Sequence, residues 1–149
     1  MNTPEKIETI TVIDFETASS AFYSACALGI VVLKGREIID KQYFLIQPPE
    51  NFYEKENIAI HGITPEQTAT AEAFPAIWQK IRHLFENTYV AAHNANFDMS
   101  VLKSTLNYYE IEQPDFLYMN TVGVSSYCIP RGVEVGKSLA DRCAYYNIP

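Results

Sequence analysis

The sequence predicts an α/β fold: a mixed central sheet, antiparallel across its first three strands, parallel in the later ones, and flanked by helices. Two observations predict it. Three strand-like runs come first with no helix between them, at residues 10–15, 25–33 and 38–46. After them, short apolar runs alternate with segments of helical period, the pattern of parallel strands joined by crossover helices. A third observation concerns organisation. The 149 residues show no repeat, no low-complexity tract and no linker-like change of composition, so a single domain over 1–149 is expected.

Each element has a local reason. Residues 10–15 are β-branched and then alternate, as in a buried strand. Residues 25–33 form a continuous apolar run, as in a central strand. Lys34-Gly35-Arg36-Glu37 reads as the turn to the third strand, and Pro48 and Pro49 close that hairpin. Residues 51–64 read as irregular or briefly helical. Thr64-Pro65-Glu66-Gln67 has the form of a helix start, with a Thr cap, Pro in the first turn and Gln three residues after the cap. Phe74, Ile77, Trp78, Ile81, Leu84 and Phe85 then recur at helical spacing and define one apolar face. Residues 89–92 read as a short strand. Phe97, Val101, Leu102 and Thr105 mark a further helix, and residues 116–119 a further strand. A last helix is expected over 138–146, with Ser138 and Asp141 at capping-box spacing and Leu139, Cys143 and Tyr146 on one face.

Composition excludes several classes. Hydrophobic residues make up 48% and charged residues 19%, as in ordinary globular proteins. No apolar run is long enough to span a bilayer, and residues 1–9 are polar, without the apolar core of a signal peptide, so no membrane partner is expected. Cys26, Cys128 and Cys143 are odd in number and widely spaced, which fits neither a zinc pattern nor a disulfide framework and suits a reducing cytoplasm. The net charge of −7 argues against a protein that coats nucleic acid, and the 11 Lys and Arg form no cluster. It leaves room for an enzyme that grips phosphates through metal ions.

The chemistry is concentrated in Thr11-Val12-Ile13-Asp14-Phe15-Glu16-Thr17. Alternate side chains of a strand share a face, so Asp14 and Glu16 stand together and Phe15 points the other way. Like charges about 4 Å apart repel by roughly 4 kcal/mol at an effective dielectric of about 20. A pair of this kind persists where a cation joins it or a carboxyl stays protonated. A third acid is found in Ala92-His93-Asn94-Ala95-Asn96-Phe97-Asp98, where a strand passes into a helix and Asp98 falls in the first turn. If that short strand lies beside the first, Asp98 meets Asp14 and Glu16.

These two stretches, with Ile60-His61-Gly62-Ile63-Thr64 between them and in the same order, resemble the DEDD-type 3′–5′ exonucleases, in particular the proofreading (epsilon) subunit of DNA polymerase III and its free-standing relatives. The resemblance runs from Thr11 to Pro149 and implies a ribonuclease H-like fold. It implies Mg²⁺ or Mn²⁺, two ions in the complete site, with Asp14 bridging both, Glu16 on the ion that activates water and Asp98 assisting from its helix. It implies contacts of Thr17, Glu56 and His61 with the terminal nucleotide, His61 having as its alternative a loop histidine that holds its own turn, and a backbone at Gly62 that passes close to it. The expected partner is the 3′ end of single-stranded DNA or RNA, with a DNA polymerase as a second candidate. Phe97 is open between packing beside a base and packing in the core. Asn96 is an even choice between a helix cap and a phosphate contact, while His93 and Asn94 are expected to fix their turn.

The family's third motif, a His five positions before an Asp or a Tyr four before it, is absent. After Asp98 the only aspartates are Asp115 and Asp141, preceded at those spacings by Glu110, Gly136, Ile111 and Lys137. The expectation is a chain cut before that motif and its sheet-covering helix, with impaired activity. The alternative is a non-catalytic module of exonuclease-like fold that binds nucleotides or a polymerase.

Overall fold

A computed structural model describes residues 8–149, so most of the polar segment 1–9 lies outside the described residues. The five-stranded sheet is built from β1 (Thr9–Thr17), β2 (Ala25–Lys34), β3 (Glu37–Leu45), β4 (Tyr89–Ala92) and β5 (Leu117–Asn120), in the order β3-β2-β1-β4-β5. β1 pairs antiparallel with β2, and β2 with β3. β1 pairs parallel with β4, and β4 with β5. This is the mixed sheet the sequence predicts, with the short strand beside the first. Gly35 turns β2 into β3 at a φ of +61°, a conformation that L side chains rarely adopt.

One face of the sheet carries the core. Ile13 and Phe15 of β1, with Leu28, Ile30 and Val32 of β2, pack against α3 (Phe74–Ile81), the following 3₁₀ turn (Arg82–Phe85) and α4 (Ala95–Tyr108). Phe74, Ile77, Trp78, Ile81 and Phe85 are all buried there, as their spacing requires. The opposite face is open over β1–β3. Val12, Gly29 and Val31 are half-buried, Tyr43 is 65% exposed, and a hollow of about 360 Å³ lies among them beside Asp14.

Some local expectations are corrected. The helix start at Thr64 holds, with the Gln67 side chain accepting the Thr64 N–H at 2.8 Å, but it yields a single turn, α2 (Pro65–Thr68). The chain then runs irregularly to Ala73, which bridges Gln47, and α3 begins afresh with Pro75 in its first turn. The stretch before Thr64, expected to be irregular or briefly helical, does hold a short helix, α1 (Lys55–His61), ended by Gly62 at a φ of +75°. A helix absent from the sequence reading, α5 (Thr121–Cys128), follows β5. It has no apolar period and no buried residue, and starts from Asn120, whose side chain accepts the Val122 N–H. The last helix, α6 (Leu139–Tyr146), is capped by Ser138 as expected, but its expected apolar face is not buried. Leu139 is 58% exposed, and Arg142 is the side chain turned inward. The reason is its neighbour: α6 reaches α5 through polar bonds, from Arg142 to Ser126 and from Tyr146 to the Ser125 carbonyl.

Candidate active site

The site forms where β1 outruns β4. Pairing between the two strands stops at Val12 and Ala91, because β4 ends at Ala92 and the chain turns through His93 and Asn94 into α4. Asn94 makes the turn in the left-handed region, at a φ of 63°. The N–H of Phe15, past the end of β4, therefore needs another acceptor, since buried backbone donors are almost always paired. Asp98 supplies it. Its Oδ1 accepts the Phe15 N–H at 2.8 Å, and the residue is only 2% exposed. The third acid is thus fastened to the backbone between the first two.

The three carboxyls act on one another. Burial pushes Asp98 up to about 6, and the charges of Asp14 and Glu16 add to the shift against the lowering by the Phe15 N–H. Asp14 is raised by loss of solvent, partly offset by His93. Glu16 is raised by burial and then by Asp14, partly offset by His61. Every shift has the sign of an acid cluster without a counter-cation. Among the described residues no group of three His, Cys, Asp or Glu side chains is already drawn together as a ready cage. The donor set is nevertheless all carboxylate oxygen, which suits a hard divalent ion.

The residues that hold the end of β1 come from α1. His61 Nδ1 accepts the Ile63 N–H at 3.0 Å, so Nε2 is the nitrogen that donates to the Thr17 carbonyl at 3.1 Å. One helical turn earlier, Asn57 donates to the same carbonyl at 2.9 Å and to the Thr17 hydroxyl at 3.2 Å. His61 therefore holds the end of β1 and its own turn together. Asn57 was not singled out in the sequence, although its spacing of four from His61 places both on one helix face. Glu54 was also missed. It accepts from the Ser20 N–H at 2.7 Å and the Ser20 hydroxyl at 3.1 Å, tying the β1–β2 loop to α1. Glu56 is exposed in the first turn of α1 and bonds no other described residue.

Asp14, Glu16 and Asp98 thus stand near enough for their charges to act on one another without forming a closed cage, His61 is bonded to Thr17, and Asn96 takes no part. Two residues apart on a helix point about 200° apart, so Asn96 faces away from Asp98. It lines a hollow of about 430 Å³ with Ser100, Lys103 and Tyr118. It is not the cap either, since Asn94 occupies that position. Phe97 is half-buried against the core and meets Phe22 edge-on at 6.1 Å. His93 fixes its turn as expected: Nδ1 shares a 2.9 Å hydrogen bond with the Thr121 hydroxyl, and Nε2 donates to the Lys137 carbonyl at 2.9 Å.

Comparison with known proteins gives a consistent picture. The profile of the Exonuclease family (RNase_T) matches residues 11–149. The PolC-type DNA polymerase III of Thermotoga maritima is 30% identical over 97 residues, covering 64% of this chain and 7% of that protein. The DNA polymerase III subunit epsilon-like protein of Rhodobacter capsulatus is 24% identical over 103 residues, covering 65% of this chain and 15% of that protein. The chain therefore spans a small part of the length of the curated relatives it matches. Among solved structures, exonuclease X in complex with 5′ overhanging duplex DNA superposes with a TM-score of 0.72 at 19% identity, over 93% of this chain and 73% of that one. Escherichia coli exonuclease I in complex with a 5cy-dA13 oligonucleotide gives a TM-score of 0.81 at 18% identity, over 95% and 36%. At such identities these likenesses establish the fold, which is ribonuclease H-like.

Proposed function

This chain belongs to the exonuclease family, and on that premise we propose that it is a divalent-metal-dependent 3′–5′ exonuclease domain acting on single-stranded nucleic acid ends. One observation carries the reading. The carboxylate of Asp98 is held at 2.8 Å from the Phe15 N–H, so acids from two separated motifs meet at one point of one strand. Asp14, Glu16 and Asp98 are the residues that would hold Mg²⁺ or Mn²⁺. Such ions, when bound, supply Lewis acidity to a phosphodiester and a nucleophile at neutral pH.

The chain's own residues do the rest. The Phe15 N–H fixes Asp98 through Oδ1 and leaves Oδ2 unbonded for a ligand. Asn57 and His61 clamp the end of β1 through the Thr17 carbonyl and so set where Glu16 stands. Glu56, exposed one turn before Ile60, is free to accept a bond from a terminal 3′-hydroxyl, and Gly62 leaves the backbone beside it bare. Thr17 borders the same point, and Phe97 offers a ring edge to a base. The expected products are nucleoside 5′-monophosphates.

Beyond Asp98 these 149 residues hold no His-x-x-x-x-Asp pair to serve as the third motif, and general-base help is worth about 10²–10⁴-fold, so we assign this chain a reduced rate. The same absence is what favours the alternative, an exonuclease-like module that binds nucleotides or a polymerase without cutting. The names of the polymerase III relatives support a polymerase as partner, and the free state of all three cysteines supports a reducing cytoplasm. Among the described residues no helix is long and apolar enough to cross a membrane.

The test is mononucleotide release from one strand labelled at its 3′ end and, in parallel, at its 5′ end, with Mn²⁺. Immediate loss of the 3′ label, gradual shortening of the 5′-labelled strand, and loss of both in Asp14→Ala are expected. Binding of the strand with no Asp14-dependent cleavage would select the binding module.

A further inference from the structure

Arg142 is the feature that the proposed reaction leaves unexplained. It lies on α6 and is 5% exposed. Its Nη2 donates to the Ser126 hydroxyl at 2.9 Å, while Nε and Nη1 are buried with no partner. Among the described residues no carboxylate comes within 4 Å of the guanidinium. A guanidinium does not shed its charge on burial, and a buried charge left unpaired is strongly unfavourable. The arrangement calls for an anion.

A space for one adjoins it. Arg142 borders an open hollow of about 710 Å³ whose wall also carries Ser126, Arg131, Gly132, Glu134 and Gly136. Residues 121–149 hold three cations (Arg131, Lys137, Arg142) against two acids (Glu134, Asp141), in a chain whose net charge is −7. The wall therefore carries one guanidinium with two unpartnered nitrogens, Nε and Nη1, and a second guanidinium, that of Arg131. A phosphate presents enough oxygens to meet them at once, and the planar fork of arginine matches it. The hollow is linked to the acid site through one hydrogen bond. Lys137, next after Gly136, takes the Nε2 bond of His93, whose charge acts on Asp14.

We propose that this hollow is a phosphate-binding subsite centred on Arg142. The phosphate has two sources, a phosphodiester of a bound strand or a free phosphate group. The subsite does not depend on hydrolysis, so it is tested in chelator, where failure of the nuclease reading leaves the result unaffected.

The experiment titrates the 149-residue chain with inorganic phosphate and with a single-stranded oligonucleotide lacking terminal phosphates, by calorimetry and thermal melting at matched ionic strength. Phosphate is expected to raise the melting midpoint of the parent. Arg142→Leu should keep the circular dichroism spectrum and lose at least tenfold in phosphate affinity, with Arg142→Lys in between. If Arg142→Leu does not fold, the exposed-site variant Arg131→Gln carries the test, with an expected loss of about threefold or more. For the oligonucleotide, losing one phosphate contact lowers the slope of log affinity against log salt by about 0.7. A change in that slope in the Arg142 variants assigns the strand, and an effect on inorganic phosphate alone assigns the free anion. No phosphate response in the parent overturns the proposal, as does an equal response in every variant. Loss of stability in Glu134→Gln with no phosphate effect also overturns it, because Glu134 would then be the partner of Arg142.

Discussion

Every buried apolar side chain among the described residues lies at or before Leu106, whereas beyond it the one buried side chain is the charged Arg142. The first region is stabilised by burial, at about 1.5–3 kcal/mol for each large side chain taken out of water. The second is fastened by hydrogen bonds, each worth a net ~1 kcal/mol. Besides the β4–β5 ladder and the bonds from Arg142 and Tyr146 to α5, several of them gather at one turn. Asn120 Oδ1 accepts the N–H groups of Asn94 and Val122 at 3.2 and 3.1 Å, and His93 bonds Thr121 and Lys137. The turn that aims Asp98 is thus also bonded to the end of β5, the start of α5 and the segment before α6. Segments with little apolar burial open locally at lower free energy than the core, so the difference teaches that the acids stand at the boundary between a rigid and a looser region.

The largest effect expected from this contrast is on stability. Phe85→Ala removes a ring that is fully buried against Trp78 and Phe116, and should cost about 3–5 kcal/mol. Tyr127→Ala removes a ring of similar size from α5, where it is 92% exposed, and should fall within about ±0.5 kcal/mol. Urea melts of both variants measure the contrast. A Tyr127→Ala cost near that of Phe85→Ala would erase it.

What was legible in the sequence follows the same boundary. Val12, Ile13 and Phe15 announce β1, and the Phe74-to-Phe85 spacing announces its covering layer, because burial imposes a period on the residues it selects. The acids were legible for another reason: carboxylates on an apolar strand are too unfavourable to be casual, and Asp98 is as buried as the core around it. Beyond Leu106 no burial imposes a period, so α5, with its Thr, Val, Gly and Ser residues, gave no signal except the capping Asn120. Likewise the spacing of Leu139, Cys143 and Tyr146 suggested an apolar face that no neighbour covers. Asn57 and Glu54 escaped because their partners, Thr17 and Ser20, lie far away in the chain, at and just beyond the end of β1, which no local pattern encodes.

The next effect is electrostatic and belongs to the packed side of the boundary. Asp98 has a folded-state pKa of about 6, above its ordinary value of 3.8. Between those values the folded protein holds the proton more tightly than the unfolded chain. The stabilisation is therefore fully present below the ordinary value and is lost as pH rises through about 6. In chelator, the parent should gain stability as pH falls from 7 towards 4, by on the order of 2 kcal/mol from this group. Asp98→Asn keeps an oxygen for the Phe15 N–H and removes the titration, so its stability should change less with pH. Parallel curves for parent and variant would remove Asp98 as the source.

A smaller effect probes the junction itself. Asn120→Ala removes the cap of α5 and the bond to the Asn94 N–H together, and should cost about 1 kcal/mol. The loss should be regional: backbone amides of α5 should exchange with solvent faster, while those of β1 and β2 keep their protection. Uniformly faster exchange would mean that the two regions open as one unit.

The smallest effect is at Asp14, which stands on the exposed side of β1 although its strand is central. Its charge raises both Glu16 and Asp98, so Asp14→Asn relieves two repulsions at once. The gain in metal-free protein is limited to less than about 1 kcal/mol, because water and salt screen an exposed carboxylate. Thermal melts in chelator should therefore show a slightly higher midpoint for Asp14→Asn than for the parent, with the gap narrowing as salt is added. Divalent ion should then reverse the order. An ion that binds only the folded state stabilises by RT ln(1 + [L]/Kd), and the parent keeps the carboxylate that the variant lacks. A lower midpoint for Asp14→Asn in chelator would mean that the Asp14 carboxylate is held by favourable contacts that outweigh its repulsion. The acid cluster would then need no cation, and the repulsion read at the boundary of the two regions would be missing at the residue whose charge acts on both of the other acids.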